Sequence, residues 1–195
     1  MIPRGAAAKV LGTNPFAFAS PVAGALPLVM DFATSSMSHG DLQLTAAEGR
    51  SVPVGTGIGI DGRDTVDPVE ILEHGGLLPF GGHKGAALSI MVELLASGLT
   101  GSAFSYREDL VFAEDSEDGG TARTGQLLIL LDPDRARSGY AERAAEFIGA
   151  LREAGLDRLP ADCRYRARAL AERDGIPITP AIRSLLERRS AARPR

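Results

Sequence analysis

The sequence predicts a fold that mixes α-helices with short β-strands, and three stretches of its 195 residues carry this prediction. Residues 26–36 begin as a short apolar strand, and residues 126–132 form an apolar run that a proline stops, which predicts a buried strand. Residues 86–95 consist almost wholly of good helix formers and are apolar on nearly every face, which is typical of a buried helix. That run is too short to span a membrane, which takes about 20 apolar residues.

The composition is that of an ordinary globular protein. Hydrophobic residues make up 44% and charged residues 24%, and the net charge of −4 gives no reason to expect a nucleic-acid partner. A single cysteine, Cys163, leaves no internal disulfide framework, and three scattered histidines argue against a metal site. Since no signal peptide or membrane-spanning stretch is recognisable, we expect a cytoplasmic protein without a membrane partner.

Polar side chains interrupt or follow apolar runs in the first part of the chain. Thr13 and Asn14 lie between apolar residues, where they could face a ligand or cap their own backbone in a turn. Asp31 and Thr34 follow the first apolar run, where they could serve a site at a strand end. Alternatively, one of the two caps a possible helix over residues 38–48.

Turn residues and caps define the next elements. Residues 49–67 are rich in glycine and proline, which predicts an irregular strand-and-loop excursion over the surface. Asp67 followed by Pro68 predicts the N-cap and first residue of a helix that continues to residue 74.

The second half of the chain is predicted to be largely helical. Residues 100–123 are polar and loop-like, with an acidic patch. Helical spacing of apolar residues predicts a helix over residues 140–154. Residues 162–174 predict a basic helix, and residues 180–189 a last one.

A glycine-rich turn leads into the apolar helix and is the strongest candidate for chemistry. Gly81, Gly82 and Gly85 allow a tight turn and a close backbone approach to a ligand. A helix N-terminus favours anions, and Lys84 adds a positive charge while His83 adds a ring donor, so a phosphate is the natural ligand. Neither the P-loop spacing nor a Gly-x-Gly-x-x-Gly after a strand is present. The alternative is a glycine-rich helix start with a solvated lysine.

Three arginines on the predicted basic helix allow two interpretations. Arg164, Arg166 and Arg168 could grip a phosphate, or they could form a solvated helix face.

Six motifs in order carry a resemblance that runs over nearly the whole chain. They are Leu11-Gly-Thr-Asn-Pro-Phe-Ala-Phe, Asp31-Phe-Ala-Thr-Ser, Thr65-Val-Asp-Pro, Pro79-Phe-Gly-Gly-His-Lys-Gly, Gly125-Gln through Asp132-Pro, and Gly175-Ile-Pro. Together they resemble the malate/L-lactate dehydrogenase family, and within it the Δ1-piperideine-2-carboxylate/Δ1-pyrroline-2-carboxylate (ketimine) reductases.

The resemblance implies an α+β fold with a largely antiparallel sheet flanked by helices. It implies a non-Rossmann NAD(P)-binding domain in residues 1–135 and a C-terminal helical segment in residues 136–190, to which we add a disordered tail in residues 191–195. The family acts as homodimers and transfers hydride between NADPH or NADH and a 2-imino or 2-oxo acid. Thr13 would then touch the substrate. Residues implied to contact the cofactor are Asp31, Phe32, Ala33, Thr34, His83, Lys84, Gly85, Leu159, Pro160 and Arg164.

Asp41 bears on the substrate. The dehydrogenases of this family tend to have lysine at this place, whereas the ketimine reductases resemble this chain in having an acid. A protonated cyclic imine is cationic at nitrogen, so a nearby carboxylate would stabilise it. A surface aspartate that caps a helix is the alternative.

The resemblance also implies what this chain should lack. Family members begin with a helical region that supplies the acid–base histidine and the arginine for the substrate carboxylate, and here the chain starts just before Gly12-Thr-Asn-Pro. We therefore expect that region to be missing from this chain. We also expect that the chain holds no catalytic residue and shows weak or no turnover. Ala161 and Asp162 also replace the usual Gly-Glu. The leading hypothesis is an NAD(P)H-dependent reductase fragment acting on a cyclic 2-imino acid. The alternatives are a malate/L-lactate-type 2-hydroxy-acid dehydrogenase and a non-catalytic remnant that only binds cofactor or self-associates.

Overall fold

The structure is a computed structural model that describes residues 1–107, 124–178 and 180–191. It has the predicted α+β character, because helices alternate with short antiparallel strands. The strands are β1 (Phe16–Ser20), β2 (Leu28–Phe32), β3 (Gly57–Ile58), β4 (Asp64–Thr65) and β5 (Gly76–Leu77). The helices are α1 (His39–Ala47), α2 (Pro68–Glu73), α3 (His83–Val92), α4 (Tyr140–Glu153), α5 (Asp162–Asp174) and α6 (Pro180–Ala191), with a π-helical turn at Glu93–Gly98 and a 3₁₀ turn at Pro133–Ala136.

The strands form two small antiparallel sheets. Strands β1 and β2 make a hairpin in which Phe16 pairs with Phe32 and Ser20 with Leu28. In the second sheet the order is β4-β3-β5, and both pairings are antiparallel. Within the described residues, the antiparallel sheet implied by the resemblance is thus divided between two separate sheets.

Local capping explains where the helices begin. Ser38 is the N-cap of α1 and its hydroxyl accepts the N–H of Asp41, so neither Asp31 nor Thr34 caps this helix. Asp67 caps α2 and accepts the N–H of Val69 at 2.9 Å, with Pro68 as the first helical residue, as predicted. Helix α5 has the predicted bounds.

Both clusters of buried hydrophobic residues in the described part of the chain lie in the first 80 residues. The main cluster joins Met1, Leu42, Val52, Ile71 and Leu77, which come from the N-terminus, α1, the following loop, α2 and β5. A smaller cluster joins Ile2, Ile58 and Leu78. Both pack around the three-stranded sheet, which fixes the position of the segment that leads from β5 into α3.

The prediction of a buried helix over residues 86–95 is wrong in two respects. The helix begins three residues earlier, at His83, because the glycine turn already has helical hydrogen bonds. Its buried residues are Gly85 and Ser89, whereas Ile90 is 50% and Leu94 57% exposed. An apolar sequence predicts burial only where another element covers the helix, and the described residues leave this face open.

The predicted buried strand over residues 126–132 is also wrong. This stretch forms no strand within the described residues, and it is exposed, with Leu130 at 81% and Leu131 at 84%. A strand needs a neighbouring strand to satisfy its backbone groups, and no described segment pairs with this one.

Residues 49–67 contain the predicted mixture of strand and loop, with β3 and β4 as the strands, but part of this stretch is buried rather than on the surface. Thr56 and Ile58 are 4% and 8% exposed, and Ile58 packs in a cluster with Ile2 and Leu78. Helix α6 extends to Ala191, the first residue of the predicted tail, and residues 192–195 lie outside the described residues. Most of the predicted acidic loop, residues 108–123, also lies outside them.

No helix in the described ranges is long and apolar enough to cross a bilayer, and they hold no group of three potential metal ligands.

Ala161 at the start of α5 has a left-handed backbone, with φ 71° and ψ −9°. This conformation costs a residue with a Cβ roughly 1–2 kcal/mol, and glycine adopts it freely. We expect Ala161→Gly to raise the free energy of unfolding by about 1 kcal/mol, measured by urea denaturation. Ala154→Gly, at a position with negative φ, is the control and should not stabilise. An Ala161→Gly variant no more stable than wild type would contradict this.

Candidate functional site

The segment that follows β2, residues 34–36, lies directly beside the segment that leads into the glycine turn. The Phe80 N–H donates to the Thr34 carbonyl at 3.1 Å, the Ser36 N–H donates to the Leu78 carbonyl at 2.8 Å, and Ser35 forms an isolated antiparallel bridge with Pro79. These contacts bring two motifs together that are far apart in the sequence. The predicted cofactor residues Asp31, Phe32, Ala33 and Thr34 therefore lie next to the turn that carries His83, Lys84 and Gly85.

The turn itself requires glycine. Gly81 and Gly82 have φ values of 54° and 61°, and Gly82 is the N-cap of α3. A Cβ on Gly85 would lie 2.2 Å from the Phe80 carbonyl oxygen. The N–H of Gly85 donates to that oxygen at 3.0 Å, so the helix begins in close contact with Phe80. His83 and Lys84 are exposed on this first helical turn.

A cleft of about 320 Å³ opens beside the turn. The ring of Phe80 packs edge-on against the ring of Phe32, with centroids 5.8 Å apart, which links the cleft to the end of β2. Arg4 also reaches the cleft and pairs with Asp64 at 3.0 Å. The cleft is lined by residues that include Arg4, Ser36, Pro79, Phe80, Gly81 and Gly82.

Helix α5 is held against β2. The Arg164 guanidinium donates to the Asp31 carboxylate at 3.1 Å, and the Tyr165 hydroxyl donates to the Pro27 carbonyl at 2.7 Å. The Asp31–Arg164 pair is exposed and contributes less than about 1 kcal/mol to stability. The importance of this ion pair is that it brings together two predicted cofactor residues from opposite halves of the chain.

The segment before α5 and the other two arginines have local roles. Leu159 is buried and its N–H donates to the Asp162 carboxylate at 2.9 Å, whereas Pro160 is exposed. This hydrogen bond is the main cause that holds the pKa of Asp162 below its usual range. Arg166 and Arg168 hydrogen-bond within their own helix, the latter to Glu172 at 2.9 Å, as in a solvated helix face.

Thr34 and Thr13 join the two segments that carry them. Thr34 is fully buried, and both its N–H and its hydroxyl donate to the Thr13 carbonyl, at 2.8 and 3.0 Å. Thr13, the predicted substrate contact, is half-buried beside the end of β2. Thr34 thus places Thr13 next to the predicted cofactor residues.

Asp41 lies in the first turn of α1, which begins three residues after Ser36 of the cleft. Its carboxylate accepts the Ser38 hydroxyl at 2.7 Å, and its N–H donates back to that oxygen at 3.0 Å. The Ser38 hydroxyl thus caps the helix, and the Asp41 carboxylate binds that hydroxyl. The side chain is exposed, so the carboxylate keeps further acceptor positions for a ligand.

Sequence reasoning missed a buried network around Glu93. The Asn14 amide donates to the Ser89 hydroxyl and to Glu93 Oε1, both at 2.8 Å, so it neither faces a ligand nor caps its own turn. Glu93 is only 7% exposed. Burial acts to raise its pKa, but hydrogen bonds from Ser105, Asn14 and the Gly12 N–H outweigh burial and hold the pKa below its usual range. One feature of the sequence indicates such a polar contact: Ser89 and Glu93 are four residues apart in an otherwise apolar run, so they share one face of a helix.

The chain is similar to curated proteins over nearly all of its length. The chain is 47% identical over 180 residues to a Delta(1)-pyrroline-2-carboxylate/Delta(1)-piperideine-2-carboxylate reductase of Pseudomonas putida, covering 92% of this chain and 52% of that protein. It is 49% identical over 182 residues to the protein of the same name from Pseudomonas syringae pv. tomato, covering 93% and 52%. The chain therefore spans about half the length of these curated relatives.

Solved structures share the fold. The crystal structure of delta1-piperideine-2-carboxylate reductase from Pseudomonas syringae superimposes with a TM-score of 0.86 at 48% identity, covering 96% of this chain and 56% of that one. A malate dehydrogenase from Entamoeba histolytica superimposes with a TM-score of 0.80 at 24% identity, covering 93% and 55%, which shows the fold alone. The family model described as Malate/L-lactate dehydrogenase matches residues 1–187, and the chain thus belongs to that family.

Proposed function

We propose that this chain carries the cofactor-binding surface and part of the substrate-binding surface of an NAD(P)H-dependent reductase of cyclic 2-imino acids. The observation that carries the proposal is the meeting of the end of β2 with the glycine turn of α3, since it gathers two of the three groups of predicted cofactor residues. Arg164, which pairs with Asp31, adds the third. The names of the two Pseudomonas relatives support the substrate class.

The residues present fit a dinucleotide phosphate. The backbone N–H groups of Lys84, Gly85 and Ala86 already donate to carbonyls of the turn. Binding of a phosphate would therefore rest on the exposed Lys84 ammonium, the His83 ring and the N–H groups at the very start of α3. Gly81 and Gly82 present no side chain there, so a phosphate can approach the backbone closely.

The roles of this chain in the reaction are orientation and electrostatics. The nicotinamide, when bound, supplies a hydride to C2 of the imino acid. Asp31, Phe32 and Ala33 would line the cofactor, and Thr13 would contact the substrate. The Asp41 carboxylate would stabilise the cationic nitrogen of the protonated imine. We assign no acid–base residue to this chain.

The first test is a titration of the 195-residue chain with NADPH and with NADH, followed by cofactor fluorescence. We expect saturable binding that the double variant His83→Ala/Lys84→Ala weakens at least tenfold, because it removes a charge-assisted phosphate contact of about 1.5–3 kcal/mol. The matched control is Arg50→Ala/His74→Ala, which removes an exposed cation and an exposed imidazole away from the turn. Equal cofactor affinity in both double variants would refute the phosphate assignment.

A second proposal, self-association, is favoured by the exposed apolar surface. The aliphatic run at residues 127–131 is open, and so are Ile90 of α3 and Leu94 of the π-helical turn. Monomeric proteins rarely expose contiguous apolar patches of this kind, so a second copy of the chain is a natural partner. This agrees with the homodimer implied by the resemblance and with a remnant that only associates.

Analytical ultracentrifugation tests self-association. We expect Leu130→Lys to raise the dissociation constant of the wild-type dimer about tenfold or more, because it places a charge in the apolar run. Leu26→Lys is the control, since Leu26 is 62% exposed but lies outside the run. A wild-type chain that stays monomeric at every concentration would contradict the proposal.

A further inference from the structure

A buried carboxylate that the proposed reaction does not use connects the substrate segment to the cofactor helix. Glu93 accepts hydrogen bonds on both oxygens: Oε1 from the Gly12 N–H at 3.3 Å and from the Asn14 amide at 2.8 Å, and Oε2 from the Ser105 N–H at 3.1 Å. Burying an ionised carboxylate is costly unless such donors replace its water. Here they come from the distant segment around Gly12 and from Ser105, which follows the π-helical turn, so the carboxylate joins three parts of the chain.

Glu93 also occupies a special place in its helix. The α-helical geometry of α3 ends at Val92, and the π-helical turn begins at Glu93. Short π-helical turns are frequent at functional sites, because they redirect side chains from the regular helical spacing. Ser89 lies one helical turn before Glu93 on the same face, so both side chains meet the same partner.

That partner is Asn14, whose backbone has a positive φ of 32°. Its amide donates to the Ser89 carbonyl at 3.1 Å, to the Ser89 hydroxyl and to Glu93 Oε1. A non-glycine residue with positive φ persists only where its surroundings hold it, and these three acceptors do so. Thr13 directly precedes Asn14, and its carbonyl accepts hydrogen bonds from the Thr34 N–H and hydroxyl.

We propose that Glu93 is a positioning residue that acts through Asn14 to hold Thr13 against the substrate. The inference rests on the proposed function and deepens it by naming the group that sets the geometry of the substrate segment. Glu93 itself touches neither substrate nor cofactor. Its loss should therefore weaken binding of the imino acid far more than binding of the cofactor.

The experiment uses the 195-residue chain saturated with NADP⁺, which permits binding of Δ1-piperideine-2-carboxylate without turnover. Isothermal titration calorimetry compares wild type with Glu93→Gln, in which one acceptor oxygen becomes an amide donor facing other donors. We expect Glu93→Gln to lower the affinity for the imino acid about tenfold, the size of one lost charged hydrogen bond, and to change NADP⁺ affinity less than about threefold. Glu73→Gln, at the exposed end of α2, is the matched control and should change neither affinity.

Thermal unfolding of each variant separates positioning from a merely structural role. A lower melting temperature with unchanged imino-acid affinity of the folded chain would overturn the inference. If Glu93→Gln does not fold, Ser89→Ala replaces it, since it removes one of the three acceptors of Asn14 and keeps the carboxylate. We expect Ser89→Ala to weaken imino-acid binding about threefold, and unchanged affinity in that folded variant would likewise overturn the inference.

The wild-type chain distinguishes failure of this inference from failure of the proposed function. Binding of NADP⁺ and imino acid by wild type, with equal affinities in Glu93→Gln, would overturn only the positioning role. Binding of NADP⁺ without imino acid would overturn the positioning role and leave the cofactor surface standing. Binding of neither would overturn the proposed function and the inference together.

Discussion

Replacing Gly85 by alanine is expected to lower the free energy of unfolding by about 3 kcal/mol and to weaken NADPH binding at least tenfold. The added Cβ would lie 2.2 Å from the carbonyl oxygen and 2.9 Å from the nitrogen of Phe80. Both are backbone atoms, so the overlap cannot be relieved by rotating a side chain. The start of α3 must then move away from Phe80, whose N–H is bonded to Thr34 at the end of β2.

The same substitution at another helical glycine, Gly149, is the matched control for Gly85→Ala. Gly149 lies inside α4, and a Cβ added there would have no neighbouring atom within 4 Å. Gly149→Ala should therefore gain helix propensity and raise the free energy of unfolding by about 1 kcal/mol. Urea denaturation followed by circular dichroism measures both variants. Opposite signs are expected for the same chemical change, and a Gly85→Ala variant as stable as wild type would show that the helix start can relax away from Phe80.

Local signals in the sequence predict the elements whose causes are local. Asp67 followed by Pro68 predicts where α2 begins, and the structure confirms it. The possible helix over residues 38–48 is present as α1, but its N-cap is Ser38 rather than Asp31 or Thr34. The sequence predicts helix α5 with its bounds, because Gly175 ends it at a positive φ of 81°. Such devices need no knowledge of the rest of the chain.

The failed predictions concern strand pairing and burial, which depend on contacts with other segments of the chain. Residues 126–132 have the composition of a buried strand, yet whether they pair depends on a strand elsewhere. The apolar face of α3 likewise shows what the helix could bury and not what covers it. The contact between Asn14 and Glu93 joins positions 79 residues apart, and no local pattern in the sequence predicts a contact between residues so far apart. The motifs around positions 31 and 83 are recognisable in the sequence, but only the structure brings them side by side.

The proposed preference for an imino acid over an oxo acid depends on the negative charge of Asp41. Reversing that charge should therefore reverse the preference. We expect Asp41→Lys to weaken binding of Δ1-piperideine-2-carboxylate to the NADP⁺-saturated chain about tenfold and to strengthen binding of pyruvate by a similar factor. A full charge at 4 Å is worth about 4 kcal/mol near a protein surface, and solvent at this exposed site reduces it to roughly 1.4 kcal/mol, which is tenfold in affinity. Calorimetric titration with each ligand measures both changes.

Two further variants separate charge at the substrate from charge at the helix end. Asp41→Asn keeps an acceptor for the Ser38 hydroxyl while removing the negative charge, so it should weaken imine binding with little gain for pyruvate. Asp61→Lys makes the same charge reversal on an exposed turn and should alter neither affinity. If Asp41→Lys binds the imine as tightly as wild type, Asp41 only supports the Ser38 cap of α1, and the 2-hydroxy-acid dehydrogenase becomes the better assignment. A reversed preference would instead mean that a cationic substrate nitrogen lies beside the first turn of α1, which only an imino acid provides.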